Sequence, residues 1–364
     1  EMAGLVKRFM RGVEITEETV PLDVIDQVGP GGHFLGEAHT FEHFRENWIP
    51  QLLDRAPRDE WEQDGAPTLG DRTADRVREI LEFSRRMGYE RLGLPHCPDM
   101  KNTAERTASL LAGAGFHPIL PRAPEPFDPT AQARHLGERG AEMNVLAGMC
   151  VAHEALFVRE SEAPVVGLVA RDVRLRHNPA AAIYTSRSYL KSELFGHWKA
   201  KDRPPFRGWD TETLRRAGEA IDGNSPGPRS RLAEALDLVH NLGVTRLGIS
   251  FCVGFRNEAE ILNRLLKTNG FQVSSACCKT GSTPKEDAGI GDEQKVRPGT
   301  REMICNPLAQ AELLNRDEVQ FAFVLGQCVG HDAATLRALD SPAICLVVKD
   351  RVLAHNTIAG LDGI

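Results

Sequence analysis

At 364 residues the chain is longer than one typical core requires, which favours two or three domains. Its 41% hydrophobic and 26% charged residues are ordinary for a globular protein, and a formal net charge of -7 leaves no basic stripe to neutralise a run of phosphates, so nucleic acid is not expected as a partner. No apolar run reaches the roughly 20 residues that span a bilayer, and Glu1 to Arg11 lack the apolar core of a signal peptide, so the expectation is a cytoplasmic protein with no membrane partner.

Residues 1–75 read as a small helical segment. Val20, Leu22, Val24, Ile25 and Val28 form an apolar pattern that stops at Gly29, Pro30, Gly31 and Gly32, a strong helix terminator. A second helix is predicted from Thr40 to Leu53, with Phe41, Phe44, Trp48 and Leu52 near helical spacing and Pro50 interrupting it. His39 to His43 also spells H-x-x-E-H, a short zinc-protease pattern that means little without its structural context. The run Val28-Gly29-Pro30-Gly31-Gly32-His33-Phe34-Leu35, with His39-Thr40, His43-Phe44-Arg45 and Leu53-Asp54-Arg55, resembles the C-terminal tail of the trimethylamine:corrinoid methyltransferase family. That resemblance accounts for His39 and His43. It implies a methyltransferase barrel or a corrinoid protein as partner, because the family's catalytic barrel lies mainly upstream of this tail.

From Arg76 the pattern changes to helices alternating with short apolar strands. Val77 to Met87 and Asn102 to Ala114 read as helices, and a third is expected after His153. Arg91 to Leu94, Phe116 to Leu120, Asn144 to Gly148 and Val165 to Ala170 read as strands. This is the βαβ rhythm of a parallel sheet covered by helices. Residues 191–229, with Pro204, Pro205, Pro226 and Pro228 and a helix predicted from Thr211 to Ile221, suit a connector.

The rhythm then restarts as a second copy. Residues 81–116 align with 236–271 at an offset of 155, with 13 identities in 36 positions, and residues 148–178 align with 326–356 at an offset of 178, with 13 in 31. The difference between the offsets places 23 extra residues in the second copy, between Phe271 and Gly326. The expected fold class is therefore α/β: two tandem Rossmann-like parallel-sheet domains, 76–190 and 230–364, packed as an internal pseudo-dimer, with further homo-oligomerisation left open.

Eight cysteines in a chain of this size, without an export signal, suggest core thiols, metal ligands or redox thiols rather than structural disulfides. Cys252, Cys278 and Cys328 each follow a predicted strand, and Cys305 immediately precedes a helix opened by Asn306 and Pro307. Side chains beyond the carboxyl ends of neighbouring parallel strands converge on one crevice. These four are the expected metal set, with Cys277 as a substitute for Cys278. All-sulfur coordination suits an iron-sulfur cluster or zinc, and the absence of C-x-x-C spacing does not separate them.

Around them, His331 and Asp332 are candidates for an acid-base pair, with a helix cap as the competing role for Asp332. Lys279 is a candidate for lowering a thiol pKa. Gly254, Gly330, His355 and Asn356 are candidates for lining a bound cofactor. Lys349, Asp350 and Arg351 are expected to shape the crevice edge or a turn. Cys345, inside an apolar strand, reads as core.

The second copy, carrying Cys252-Val253-Gly254, Cys278-Lys279, Cys305-Asn306-Pro307, Cys328-Val329-Gly330-His331-Asp332 and His355-Asn356, resembles a family of uncharacterised bacterial and archaeal proteins thought to bind metal. The first copy keeps Cys97, Cys150 and His153 but lacks the Cys-Lys and Cys-Asn-Pro elements, so its site is expected to be degenerate. Together the two resemblances imply a cysteine-ligated metal or iron-sulfur module associated with corrinoid-dependent methyl transfer, in a redox or thiol-activating role. The alternatives are the C-terminal portion of a methyltransferase and a non-catalytic scaffold holding a small ligand. The sequence leaves open whether the protein is itself an enzyme.

Overall fold

A computed structural model describes residues 75–121, 127–224, 228–295 and 297–361. The helices predicted before Asp75, with His39 and His43, lie outside the described residues.

The first copy contains α1 (Arg76–Met87), β1 (Arg91–Gly93), α2 (Lys101–Gly113), β2 (His117–Ile119), α3 (Pro129–Glu138), β3 (Met143–Leu146), α4 (Val151–Glu160) and β4 (Val165–Gly167). Helices α5 (Ala180–Thr185), α6 (Lys191–Leu194) and α7 (Thr211–Asn224) lead to the second copy. That copy contains α8 (Arg231–Asn241), β5 (Arg246–Phe251), α9 (Arg256–Thr268), β6 (Gln272–Cys277), α10 (Pro307–Arg316), β7 (Phe321–Leu325), α11 (Val329–Ala338) and β8 (Ala343–Val347).

Local chemistry sets the helix ends. Asp75 caps α1 by accepting from the Arg78 N–H at 2.9 Å, and Gly88, with φ of 71°, closes it in the left-handed region. Asn306 caps α10 by accepting from the Ala309 N–H at 3.0 Å, and Pro307 occupies the first turn, where its missing N–H costs nothing.

Each copy forms a four-stranded, all-parallel sheet, in the orders β2-β1-β3-β4 and β6-β5-β7-β8. The chain is thus an α/β protein built from two equivalent units. Strands β7 and β8 are buried throughout, as expected where helices cover both faces of a parallel sheet. One apolar cluster joins the units, with Leu146, Met149, Phe157 and Val165 packing together with Ala322, Val324, Ala343 and Cys345. Helix α4 lies against β8, and α11 lies against β4, so each unit covers the other's edge strand.

The lead helices cross in the same way. Arg76 and Arg231, related by the 155-residue offset, are both fully buried. In the second unit, Arg76 donates to Asp350 Oδ2 from its backbone at 3.0 Å, to the Gln327 carbonyl at 3.0 Å and to Asp332; it also reaches the Gly167 carbonyl at 2.8 Å. Arg231 makes the equivalent set in the first unit, to Asp172 Oδ2 at 2.9 Å, the Met149 carbonyl at 2.8 Å and Glu154 Oε2 at 2.6 Å, and it reaches the Cys345 carbonyl at 3.1 Å. Both guanidiniums meet carbonyls and carboxylates in the planar geometry that only arginine presents.

Candidate metal centre

In the second unit the strand ends bring thiols together. The Cys278 N–H donates to the Phe251 carbonyl at 2.8 Å, and the Asn306 N–H donates to the Cys278 carbonyl at 2.8 Å, so three chain segments are tied at one point. The Cys278 thiol accepts from the Val253 N–H at 3.3 Å and lies 3.8 Å from the Cys305 thiol. Lys349 is buried, and its Nζ donates to Cys252 Sγ at 2.9 Å and to Cys328 Sγ at 3.3 Å, so one ammonium spans two thiols. Arg351 approaches Cys328 Sγ at 3.6 Å.

Cys328 is the N-cap residue of α11. Its turn begins at Gly326, with φ of 62°, where an added Cβ would lie 2.0 Å from the Phe255 ring, so glycine is required there twice over. Below it, the buried Gln327 donates to Ser250 Oγ at 2.6 Å and accepts from Thr335 Oγ1 at 2.8 Å, locking the turn to β5 and α11.

The electrostatics polarise the thiols. A hydrogen bond from Cys278, helped by the Lys349 charge, pulls the Cys252 pKa well below the usual thiol range. The same kind of bond from Cys278, with Lys279 and His331 adding, brings Cys305 down to about 5. Cys278, which shares its proton with these neighbours, is pushed up. Burial alone would raise Cys328, but His331 and Lys349 outweigh it and its pKa falls. His331 rises despite its burial, because the thiols of Cys328, Cys305 and Cys252 favour its charged form. Low-pKa thiols facing fixed cations are the form of cysteine that binds metal or attacks an electrophile.

Other candidate positions take different roles. Asp332 is ion-paired to Arg76 and makes no side-chain cap, so the His331–Asp332 acid-base pair is replaced by an interface contact. Gly330 is a packing residue, since a Cβ there would lie 2.8 Å from the Phe83 ring of α1. Lys279 donates from Nζ to the Met303 carbonyl at 2.5 Å. Gly254 lies in the 3-10 turn that follows Cys252. The His355 ring packs tilted against Phe255 at 4.4 Å, and its Nδ1 accepts from the Asp350 N–H at 3.1 Å. Burial and the neighbouring Lys349 hold His355 down to about 4. Asn356 leaves a buried Oδ1 without a hydrogen-bond partner.

Lys349 is the residue that sequence reasoning underrated, as an edge or turn position. The available signal was its recurrence as a basic residue, Arg171, at the same place after β4. Cys277 is half-buried beside Cys278, and Cys345 is a core thiol whose pKa is raised by burial.

The first unit is more compact than its missing motifs suggested. Cys97, Cys150 and His153 present ligand atoms all within 4.8 Å of one another. Cys97 Sγ lies 3.4 Å from His153 Nδ1 and accepts from the Cys150 N–H at 3.4 Å. Cys150 occupies the N-cap position of α4 without a side-chain capping bond, and its pKa is pulled down by the Cys97 thiol and by His153. Arg171, the counterpart of Lys349, instead pairs with Asp99 through Nε at 2.8 Å and Nη2 at 2.7 Å.

Two family models match the chain. The family model described as Protein of unknown function (DUF1847) matches residues 58–120, 118–168 and 203–346, together more than half of the chain. The model described as Trimethylamine methyltransferase (MTTB) matches residues 1–87. An uncharacterised protein of Methanocaldococcus jannaschii is 35% identical over 133 residues, covering 36% of this chain and 67% of that protein. Trimethylamine methyltransferase MttB of Desulfitobacterium hafniense is 38% identical over 82 residues, which are 22% of this chain but 16% of the methyltransferase. Glycine betaine methyltransferase of the same species is 42% identical over 69 residues, 19% of this chain and 14% of that protein. The chain therefore spans only a small part of the length of those enzymes. Among solved structures, Dph2 from Pyrococcus horikoshii with a 4Fe-4S cluster shares 12% identity over 70% of this chain and 52% of that chain at a TM-score of 0.22, too loose a superposition to bear on function.

Proposed function

This chain belongs to the family described as Protein of unknown function (DUF1847), and from that premise we propose that it is a cysteine-ligated metal module serving methyl transfer of the corrinoid-dependent methylamine type. One observation carries the proposal: thiols from four separate chain segments gather around the ends of β5, β6 and β7, with Lys349 spanning two of them. Buried charges of one sign need compensation. Lys349 and Arg351 would offset the negative charge of a thiolate-ligated centre held by Cys252, Cys278, Cys305 and Cys328.

The Cys278–Cys305 pair fits a soft metal, whereas among the described residues the group of three ligand atoms within 4.8 Å of one another is in the first unit. The 3.8 Å between Cys278 and Cys305 equals the edge of a tetrahedron whose metal–sulfur bonds are about 2.3 Å. Such a centre would supply electrons that restore a reduced corrinoid if it is an iron-sulfur cluster, or would activate a thiol methyl acceptor if it is zinc. The protein's own share is to lower the pKa of Cys252, Cys305 and Cys328, while that of Cys278 is raised, and to raise that of His331 beside them.

The methyltransferase-like match supports the link to methyl transfer. It runs to residue 87 and so includes α1, whose Phe83 packs on Gly330 in the helix capped by Cys328. A corrinoid protein or methyltransferase barrel docking on the preceding segment would be mechanically connected to the thiol crevice.

Anaerobic purification, with iron, sulfide and zinc analysis and a visible spectrum, tests the assignment. Iron with sulfide and broad visible absorption identifies the redox form, and stoichiometric zinc the thiol-activating form. Either should be lost from this centre in the Cys252→Ser/Cys328→Ser double variant. Metal content unchanged in that variant, or no metal in the wild type, would remove the proposal and leave a small-ligand scaffold as the better account.

A further inference from the structure

The first unit was expected to be a degenerate copy, yet among the described residues it holds the tightest group of metal-type ligands. We propose that it is a metal site of its own, in which Cys97, Cys150 and His153 bind one zinc-class divalent ion and Glu234, carried by the opposite unit and lying outside that 4.8 Å group, swings in as the fourth ligand.

Ligand spacing indicates a single ion. The 3.4 Å between Cys97 Sγ and His153 Nδ1 matches the edge of about 3.5 Å expected when zinc takes sulfur at about 2.3 Å and nitrogen at about 2.0 Å. The three ligands come from rigid positions, with Cys97 after β1, Cys150 at the N-cap position of α4 and His153 in the first turn of that helix. The Cys150 N–H hydrogen-bonded to Cys97, and the Phe127 ring tilted against His153 at 4.8 Å, fix two of them from outside, as supporting contacts do in metal sites. Arg171 spends its Nε and Nη2 on Asp99, whereas Lys349 in the other unit reaches between two thiols. Among the described residues Arg171 thus makes no hydrogen bond to either first-unit thiol, although its charge acts on both Cys97 and Cys150.

The fourth ligand follows from the crossed helices. Arg231 opens α8 and donates to the Met149 carbonyl at 2.8 Å, directly beside Cys150. Glu234 is one turn further along α8, and its Oε2 is buried without a hydrogen-bond partner. A buried carboxylate oxygen left unsatisfied is costly, and an ion at this site would satisfy it. Binding releases the thiol protons to solvent and forms two metal–sulfur bonds, one metal–nitrogen and one metal–oxygen bond, with no change of oxidation state.

The site is read separately from the second unit by equilibrating the full chain, with Cys252, Cys278, Cys305 and Cys328 all changed to Ser, against zinc and against cobalt(II). The expected result is one ion per chain, thiolate-to-cobalt charge-transfer absorption with tetrahedral d–d bands, and at least tenfold weaker zinc binding after Glu234→Gln. If the fourfold variant does not fold, the wild-type chain should lose one zinc or cobalt ion on Cys150→Ser and again on His153→Gln. No ion in the folded fourfold variant, no loss from the wild type, or zinc affinity indifferent to Glu234→Gln would overturn the proposal. None of these results depends on what the second unit binds.

Discussion

Glu258, in the first turn of α9, shows how far one residue's environment can move its chemistry. It is 7% exposed, accepts a hydrogen bond from the Tyr184 hydroxyl, and is pushed up to about 7 by burial. Between the unfolded value near 4.5 and about 7, the unfolded chain has lost this proton while the folded chain keeps it. Stability therefore falls as pH rises through that window and levels off above it. Glu258→Gln retains an acceptor for Tyr184 and has no charge to bury. It should be more stable than the wild type by about 1–3 kcal/mol at pH 8 and indistinguishable from it at pH 4, as measured by urea denaturation at both values; a difference independent of pH would exclude the titration as its cause. Nothing in the sequence marks Glu258, because a glutamate near a helix start reads as a solvated residue complementing the helix dipole. Lys349, Arg76 and Arg231 were hidden for the same reason, since basic residues are almost never fully buried. The thiols were legible because Cys252, Cys278 and Cys328 follow apolar runs, where the chain must leave the sheet.

Among the elements, α1 and α11 depend on one small residue at their crossing. Gly330 leaves room for the Phe83 ring, and a Cβ would stand 2.8 Å from it. Gly330→Ala should cost about 1–3 kcal/mol through overpacking, despite alanine's better helix propensity. Adding Phe83→Leu should recover part of that loss, and additive losses in a double-mutant cycle followed by thermal melts would show that the two do not touch. Strands β7 and β8 could be read because buried parallel strands are continuous apolar runs bounded by turns, whereas β1 and β2 are short and begin on exposed residues. Helix α3 is opened by Asp128 as N-cap and by Pro129 in the first turn, ordinary helix-start signals. Residues 281–301 lie between β6 and α10 and, where described, carry turns and 3-10 segments. Ties within this loop, such as the Pro284–Met303 bridge and the Lys295 contacts to Glu286 and Thr300, cannot be inferred from composition.

For the whole molecule, the duplication could be read as two units but not as two units that exchange their lead helices. The exchange makes each unit incomplete alone: Asp332 has its cation from α1, and Glu154 has its cation from α8. Removing one partner of a buried ion pair leaves a charge without compensation, so Arg231→Met should destabilise the protein by about 3–5 kcal/mol. Arg231→Met with Glu154→Gln should be less damaging than the single change, because the stranded carboxylate goes too. The apolar cluster shared by β3, α4, β7 and β8 adds non-polar coupling between the units. Urea unfolding of the full chain should therefore follow one transition, coincident by circular dichroism and tryptophan fluorescence. Two separated transitions would mean that each unit keeps its core without the other's helix. A single transition in the wild type that splits in Arg231→Met would locate the coupling in the crossed arginines; one that stays single would assign it to the shared apolar cluster.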